Sequence, residues 1–360
     1  MPIRPDFACD FSKGLENELE RIGLNTIKTE SVRAVFSCIA REKEVSRAAI
    51  AEKTSLSLMT VGKVADLLLA RDVLVQSVPA KAGAGRRAGV LCLHPDKRLF
   101  VLDISTRSFS FAVLNMALEV LDTVEYTYNK AFDLAENISL FLKTVKIYML
   151  RNITEGDAVG VGIMVSGTWS ARDDTVMGSR IVGMEDVHVR HMTEDVLGLP
   201  VTAVENSISS ATTALSQYAE AGKVAFYLSI GEVLKSALFV DGKLLQGRDG
   251  NAGNIANVPS GKGKTLGMLY LEKGMCDEVQ QPLISAIAGV ISLTDPTAVY
   301  IETFSRRPLA FAKTLIPRLC AATGKAAEEL PHIELGSHAL RYAYEGLAQK
   351  VRAAWVETEI

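Results

Sequence analysis

The chain has 360 residues, 48% of them hydrophobic and 22% charged, and a formal net charge of −3. This length and composition predict two or three folded domains and exclude a disordered or fibrous chain. The longest apolar run, near residues 283–293, falls far short of the ~18 residues that span a bilayer, and no signal-peptide pattern opens the chain.

The pattern of cysteines indicates the cellular compartment of the protein. They are scattered along the chain and none forms a CxxC pair, which argues against a disulfide framework and against a cysteine-built zinc site. We therefore expect a cytoplasmic protein with reduced thiols, no membrane partner and no structural metal.

Residues 1–25 are a mixed-charge lead-in without a functional signal, and the first clear pattern lies at residues 45–75. Ser46 is a good N-cap for a short helix over residues 47–53, and Ser57 is a good N-cap for a longer helix over residues 58–70. The apolar residues of the second helix recur at helical spacing. This arrangement predicts a helix-turn-helix whose second helix reads the major groove of double-stranded DNA through Ser57, Met59, Thr60 and Lys63.

The flanking residues favour a winged form of this motif. Strand-like runs at residues 73–78 and 90–94 are joined by a glycine-bearing loop that carries Arg86 and Arg87, and no Asp or Glu occurs between Asp72 and Asp96. Residues 26–95 hold 11 Lys plus Arg against 6 Asp plus Glu, a net of +5, whereas residues 96–360 hold 25 against 31, a net of −6. Such segregation of charge is typical of a nucleic-acid-binding domain attached to a body that is not one. The alternative is a small helical domain with a solvated basic loop.

The body carries a repeated pattern. Three strand-like runs at residues 100–105, 108–114 and 117–124 precede a helix at 137–151 and a buried strand at 158–165; the same order returns at 224–230, 235–240, 243–246, 283–292 and 298–302. This repetition predicts an α/β body of two lobes with a ligand-binding cleft between them. We place the first lobe at residues 96–206, completed by a C-terminal helix within 336–360, and the second at 207–335.

Four stretches then resemble the ROK (repressor, open reading frame, kinase) family of transcriptional regulators, such as the xylose and N-acetylglucosamine repressors. They are LNTIKTESVRAVFSCI, GAGRRAGVL, LGLPVTAVENSISSATTAL and LFVDGKLLQGRDGNAGNI. The resemblance implies a winged helix-turn-helix joined to a two-lobed, sugar-kinase-like body of the actin-like ATPase fold. It also implies a repressor of carbohydrate-related genes that binds an inverted-repeat operator as a homodimer or homotetramer.

This chain departs from the chemistry of the family's kinases. The glycine-rich turns that hold ATP phosphates stand here as DIST (103–106) and SIGEVLKSA (229–237), and the later glycine pair is replaced by Glu302, Thr303 and Phe304. Ser207 occupies the position of the family's catalytic Asp, and a serine without an activating partner is a poor general base near neutral pH. The family's zinc motif reads NIAN (254–257), and the stretch SGKGKTLGMLYLEK (260–273) that follows contains no cysteine. We expect no enzyme activity and no cofactor.

Two hypotheses for the body follow. The favoured one is a catalytically inactive sensor that holds a sugar or sugar acid in the cleft through Gly167, Asn206, Asn254 and Asn257, because amides suit an array of hydroxyl and carboxylate oxygens. The alternative is a scaffold that has lost ligand binding and acts through oligomerisation or a protein partner. An active sugar kinase is a less favoured third possibility.

Overall fold

The computed structural model describes residues 29–77, 89–179, 181–215, 223–231, 233–248, 251–261, 263–303, 306–336 and 341–359. These residues form two compact units. The first consists of the described residues up to Arg98 together with Asn115–Ala117 and the described residues from Arg352 onward; the second consists of Leu99–Leu114 and Leu118–Val351. Within the described ranges, no helix is both long and apolar enough to cross a membrane.

The described residues 29–77 and 89–98 of the first unit form helices and a small sheet. They are α1 (29–42), β1 (Val45–Ser46), α2 (Arg47–Thr54), α3 (Leu58–Ala70), β2 (Leu74–Ser77) and β3 (Val90–Leu93), with antiparallel strand order β1-β3-β2. Ser46 Oγ accepts from the Ala49 amide at 3.3 Å and Ser57 Oγ from the Thr60 amide at 3.1 Å. Both predicted caps are therefore confirmed, and α3 begins and ends at the predicted residues. The predicted wing loop, residues 79–89, lies outside the described residues except for Gly89.

The first lobe of the second unit is built on a five-stranded sheet of order β10-β7-β4-β5-β6. Asp133 and Glu136 form a capping box at the start of its long helix, which begins three residues before the predicted bound. The elements are β4 (Arg98–Asp103), β5 (Phe109–Asn115), β6 (Val120–Tyr126), α4 (Leu134–Asn152), β7 (Ala158–Met164), β8 (Thr168–Ser170), β9 (Thr175–Met177), α5 (Val189–Leu197), β10 (Val201–Glu205) and α6 (Ser207–Leu215).

The second lobe repeats this plan on a sheet of order β13-β12-β11-β14-β15. Asp241 and Gly242, with φ of 52° and 72°, form the predicted tight hairpin turn, because both central residues of such a turn need positive φ. The elements are β11 (Val224–Ile230), β12 (Leu234–Val240), β13 (Lys243–Leu244), α7 (Leu266–Lys273), α8 (Asp277–Thr294), β14 (Ala298–Thr303), α9 (Arg306–Lys313), α10 (Leu315–Thr323) and β15 (His332–Gly336). Helix α11 (Arg341–Thr358) follows β15 in the chain.

The strand order confirms the predicted duplication. In each lobe an antiparallel meander contributes three consecutive positions of the sheet, and the two later strands follow in chain order beyond the first strand of the meander. The β10–β7, β11–β14 and β14–β15 pairs are parallel. Parallel pairs need crossover connections, so the helices between them cover the sheets.

The two faces of the second-lobe sheet differ in chemistry. Side chains alternate between faces along a strand, and the face bearing Leu228 and Ile301 packs with α7 and α8 into the apolar core of the lobe. The opposite face carries Tyr227, Ser229, Lys235, Tyr300 and Glu302. In the register of the sheet, Ser229 pairs with Lys235 on one side and with Glu302 on the other. A row of three polar side chains therefore crosses β12, β11 and β14.

Helix α11 contacts the sheet of the first lobe through glycines. A Cβ added at Gly160 would lie 2.9 Å from Val351 Cγ1, and one added at Gly162 would lie 2.6 Å from Leu347 Cγ. Larger residues at these two positions of β7 would push the helix away. The predicted association of the C-terminal helix with the first lobe thus has a direct packing basis in the AVGVGIMV run.

The last turns of α11 belong to the first unit and pack on α1. The Arg352 guanidinium lies 5.4 Å from the Phe36 ring centroid and donates to the Met116 carbonyl at 2.6 Å. Burial lowers the pKa of Arg352 to about 10, so it remains charged at neutral pH. Arg33 and Glu357 form an ion pair at 2.6 Å. One helix therefore supplies residues to both units.

Candidate functional sites

The start of α3 presents an exposed surface on the first unit. Met59 is 72% exposed, and Lys63 is also exposed one turn later. Ser57 and Thr60 are engaged with each other, since their hydroxyl oxygens lie 2.8 Å apart and Ser57 also caps the helix. A Cβ added at Gly62 would meet no atom within 4 Å, so protein packing does not require glycine there.

Packing behind this surface fixes α3 in place. Val61, Val64, Ala65 and Leu68 are buried, and Ile50 of α2 is buried with them. Arg47 of α2 donates to Asp66 of α3 at 2.6 Å. Of the residues predicted to contact DNA, Ser57, Met59, Thr60 and Lys63 lie in one helical turn and its cap, whereas Arg86 and Arg87 fall outside the described residues.

Gly167 and Asn206 lie at the same edge of the first-lobe sheet. They follow the parallel strands β7 and β10, and the Val165 amide donates to the Glu205 carbonyl at 2.8 Å. Carboxyl ends of parallel strands are the usual location of ligand sites in α/β sheets. Gly167 has a φ of +122°, and an added Cβ would lie 2.5 Å from the Met177 carbonyl oxygen, so only glycine fits this turn.

Lys235 of the second lobe reaches this edge. Its Nζ donates to Ser207 Oγ at 2.9 Å. Ser207 is buried and follows Asn206, whose Oδ1 accepts from the Ser209 amide at 2.9 Å and so caps α6. A cation therefore lies beside Ser207, the residue that the resemblance places at the position of the kinases' catalytic Asp. Sequence reasoning missed Lys235, although this lysine stood in the quoted SIGEVLKSA stretch.

Asn254 and Asn257 lie in a separate turn. Asn254 Oδ1 accepts from the Ala256 amide at 3.2 Å, and Asn257 Nδ2 donates to Asn251 Oδ1 at 3.4 Å. The turn is held against β12 by Ser236, which accepts from the Ile255 amide at 2.8 Å. Lys235 and Ser236 are consecutive and so point to opposite faces of the strand. Among the described residues, no hydrogen bond joins Asn206 to Asn254 or Asn257, so the structure pairs Gly167 with Asn206 and Asn254 with Asn257.

In the turns that correspond to phosphate-binding loops, backbone amides donate hydrogen bonds to acceptors within the same turn. The Ser105 amide donates to Asp103 Oδ1 at 2.9 Å, and the Ser108 amide donates to Thr106 Oγ1 at 3.2 Å. In the second lobe the Gly231 amide donates to the Val233 carbonyl at 3.2 Å. Each of these three amides therefore already has an acceptor within its own turn.

The residues at the zinc motif do not fit the metal. The two asparagines that replace its acidic and histidine members supply neutral amides, which are poor zinc ligands. Within the described ranges, no group of three His, Cys, Asp or Glu residues is placed to hold a metal ion.

Sequence comparison finds two similar proteins whose names are those of xylose repressors. It is 26% identical over 229 residues to the xylose repressor of Caldicellulosiruptor bescii and 22% identical over 240 residues to a putative xylose repressor of Caldicellulosiruptor sp.. These matches cover 62% and 64% of this chain but only 57% and 59% of the relatives. No protein-family model matches the chain.

Structural comparison extends the likeness over almost the whole chain. A ROK family transcriptional regulator, a homolog of the E. coli MLC protein, superposes with a TM-score of 0.67 at 16% identity and covers 92% of this chain and 98% of its own. A putative N-acetylmannosamine kinase from Listeria monocytogenes superposes with a TM-score of 0.51 at 18% identity and covers 71% of this chain and 98% of its own. The kinase lacks a counterpart for part of the chain that the regulator matches. In sequence the chain is thus similar to two proteins named as xylose repressors, and in fold it is similar to a ROK family transcriptional regulator.

Proposed function

We propose that this protein is a DNA-binding transcriptional repressor of carbohydrate-related genes. The observation that carries the proposal is the exposed start of α3, where Met59 and Lys63 project from a helix whose opposite face is buried. Because no protein atom lies within 4 Å of a Cβ placed at Gly62, the DNA backbone can approach the helix closely at this position. Basic and uncharged side chains at the N-terminal end of such a helix suit the major groove, whose base edges carry acceptors and methyl groups. The names of the relatives supply the carbohydrate context.

The body, in this proposal, senses a ligand instead of phosphorylating it. In the turns that correspond to phosphate-binding loops, backbone amides are bonded within the turn. Ser207, at the position where a kinase needs a general base, accepts a hydrogen bond from Lys235. The same lysine favours an acidic ligand, because a carboxylate or phosphate close to Lys235 gains a charge-assisted hydrogen bond. Sugar acids and sugar phosphates are therefore the proposed effector class, with Gly167 and Asn206 at the site and Asn254 and Asn257, in their separate turn, as the proposed second pair of ligand-binding residues.

A route from this site to the DNA-binding unit runs through α11. Lys350 of α11 forms an ion pair with Glu205, the residue before Asn206. A ligand that moves Asn206 acts on this pair, and α11 continues into the first unit. Release of DNA then requires that the ligand bind one arrangement of the helix more tightly than another.

The operator is expected to be an inverted repeat. A homodimer or homotetramer with two-fold symmetry presents two copies of α3, so the half-sites are spaced by whole helical turns of DNA. Selection of genomic fragments by the purified protein, followed by footprinting, checks this. A variant lacking residues 81–87 is the control for the wing, and it is expected to bind more weakly. A site without symmetry, or full affinity without these residues, contradicts the proposal.

The effector is expected to depend on Lys235 and on the predicted amides. A thermal-shift screen of sugars, sugar acids and sugar phosphates should yield an acidic ligand that raises the melting temperature and lowers the affinity for DNA. Lys235→Met should lower the affinity for this ligand by about tenfold, because one charge-assisted hydrogen bond is lost. Asn206→Ala combined with Asn257→Ala should abolish the ligand-induced rise in melting temperature. Lys243→Met, an exposed lysine on the neighbouring strand, is the matched control. An empty screen would favour the scaffold alternative.

A further inference from the structure

Glu302 is a fully buried carboxyl group that neither the proposed DNA-binding surface nor the proposed effector site uses. It lies on β14, on the polar face of the second-lobe sheet. Its Oε2 accepts from the Tyr227 hydroxyl at 2.5 Å, and its Oε1 accepts from the backbone amide of Tyr342 at 2.6 Å. Tyr342 is the second residue of α11.

The second of these contacts fixes the start of a helix. The first amides of a helix have no acceptor within the helix and need one from outside. Glu302 supplies this acceptor from a strand 40 residues earlier in the chain. The first turn of α11 is therefore attached to the second lobe at this point, while Leu347 and Val351 of the same helix pack on the first lobe.

The hydrogen-bonding groups around Glu302 all have partners when its carboxyl group is neutral. A protonated Glu302 keeps its Oε1 as the acceptor for Tyr342 and donates from Oε2 to the Tyr227 oxygen. The Tyr227 hydroxyl can then turn to Ser229, which lies two residues further along the same strand and on the same face of the sheet. No charge is then buried and each polar group has a partner. An ionised Glu302 keeps both donors but places a full charge in an apolar interior, which is costly without a cation at the group.

The charged groups around Glu302 do not offset the free-energy cost of burying its ionised carboxylate. Among the described residues, the titratable and charged groups near Glu302 include Tyr227 on β11, Lys235 on β12, Tyr300 on β14, Glu334 on β15, and Arg341, Tyr342, Tyr344 and Glu345 on α11. Arg341 lies 3.5 Å from Glu345 and 3.8 Å from Glu334, so its charge is shared with two other carboxylates. Lys235 is bonded to Ser207.

We propose that Glu302 is a proton-controlled latch on α11, which holds the first turn of the helix on the second-lobe sheet when neutral and releases it on ionisation. Burial raises the pKa of Glu302 to about 7, from an ordinary value of 4.5. Between these two values the closed site binds more protons than an opened, hydrated one. The stability of the closed state is therefore fully present below the lower value and is lost as pH rises through the higher one.

Hydrogen exchange of the full chain tests the latch. After correction for the intrinsic exchange rate, protection of amides 341–351 in the wild type should fall about tenfold between pH 6 and pH 8, because the opening equilibrium follows the ionisation of one group. Glu302→Gln mimics the neutral acid and should keep high protection across this range. Glu302→Ala removes the acceptor for Tyr342 and should show low protection at both pH values.

A matched control separates the latch from general effects of charge. Glu334→Gln removes a neighbouring carboxylate that pairs with Arg341 but is not the acceptor for the Tyr342 backbone amide, and it should keep the pH dependence of the wild type. Parallel pH profiles for the wild type and Glu302→Gln would overturn the proposal, as would equal protection in Glu302→Gln and Glu302→Ala. The test does not involve DNA, so its result is independent of the proposed function.

Discussion

Leu68→Ala should destabilise the first unit by about 2–5 kcal/mol, the usual cost of emptying a fully buried leucine site. Leu68 has no exposed surface and lies on the buried side of α3 with Val61 and Val64. Because the start of α3 is held in place by this packing, the variant should also lose affinity for DNA under conditions where part of the first unit is unfolded.

Leu58→Ala is the control for this prediction on the same helix. Leu58 is 60% exposed, so its truncation should change stability by less than about 0.5 kcal/mol. Denaturant unfolding monitored by hydrogen exchange of residues 29–77 measures both variants separately from the second unit. Equal destabilisation by the two substitutions would show that α3 is not packed as described.

The parts of the fold that the sequence predicted well are those with strong local signals. α3 was placed to the residue because Ser57 supplies a cap and the apolar residues follow a helical period. β11 was predicted from a strand-like run of residues, and the Asp241–Gly242 turn from a dipeptide that is common in hairpin turns. The short strands β8, β9 and β15 were not predicted, since runs such as His332–Gly336 have neither the alternation nor the continuous apolar character of a typical strand.

The roles of single residues were harder to predict when they depend on distant partners. The two glycines of β7 look like ordinary members of an apolar strand, and only the structure brings Gly162 against Leu347. Glu302 was interpreted as the loss of a glycine, and its bond to Tyr342 joins residues 40 positions apart. Lys235 was overlooked for the same reason, because its partner Ser207 is 28 positions away. Contacts of this kind leave no periodic trace in a sequence.

Lys63→Glu should lower the affinity for operator DNA more than any other single surface substitution in α3. Lys63 is exposed one turn after the Ser57 cap, and reversal of its charge replaces attraction to phosphates by repulsion. We expect a loss of at least tenfold at moderate salt, about 1.4 kcal/mol. Fluorescence anisotropy with the selected operator over a series of salt concentrations measures the effect.

Lys63→Ala distinguishes the two kinds of contact that this lysine can make. Loss of one phosphate contact reduces the slope of log affinity against log salt by about 0.9 and weakens all sequences alike. Loss of a base contact instead relaxes specificity at one operator position, by about 1–3 kcal/mol, and leaves the slope nearly unchanged. Lys143→Ala, an exposed lysine of α4 in the second unit, should change neither quantity. If Lys63→Ala also changes neither, α3 does not enter the groove by its N-terminal end and the DNA-binding surface must lie elsewhere on the first unit.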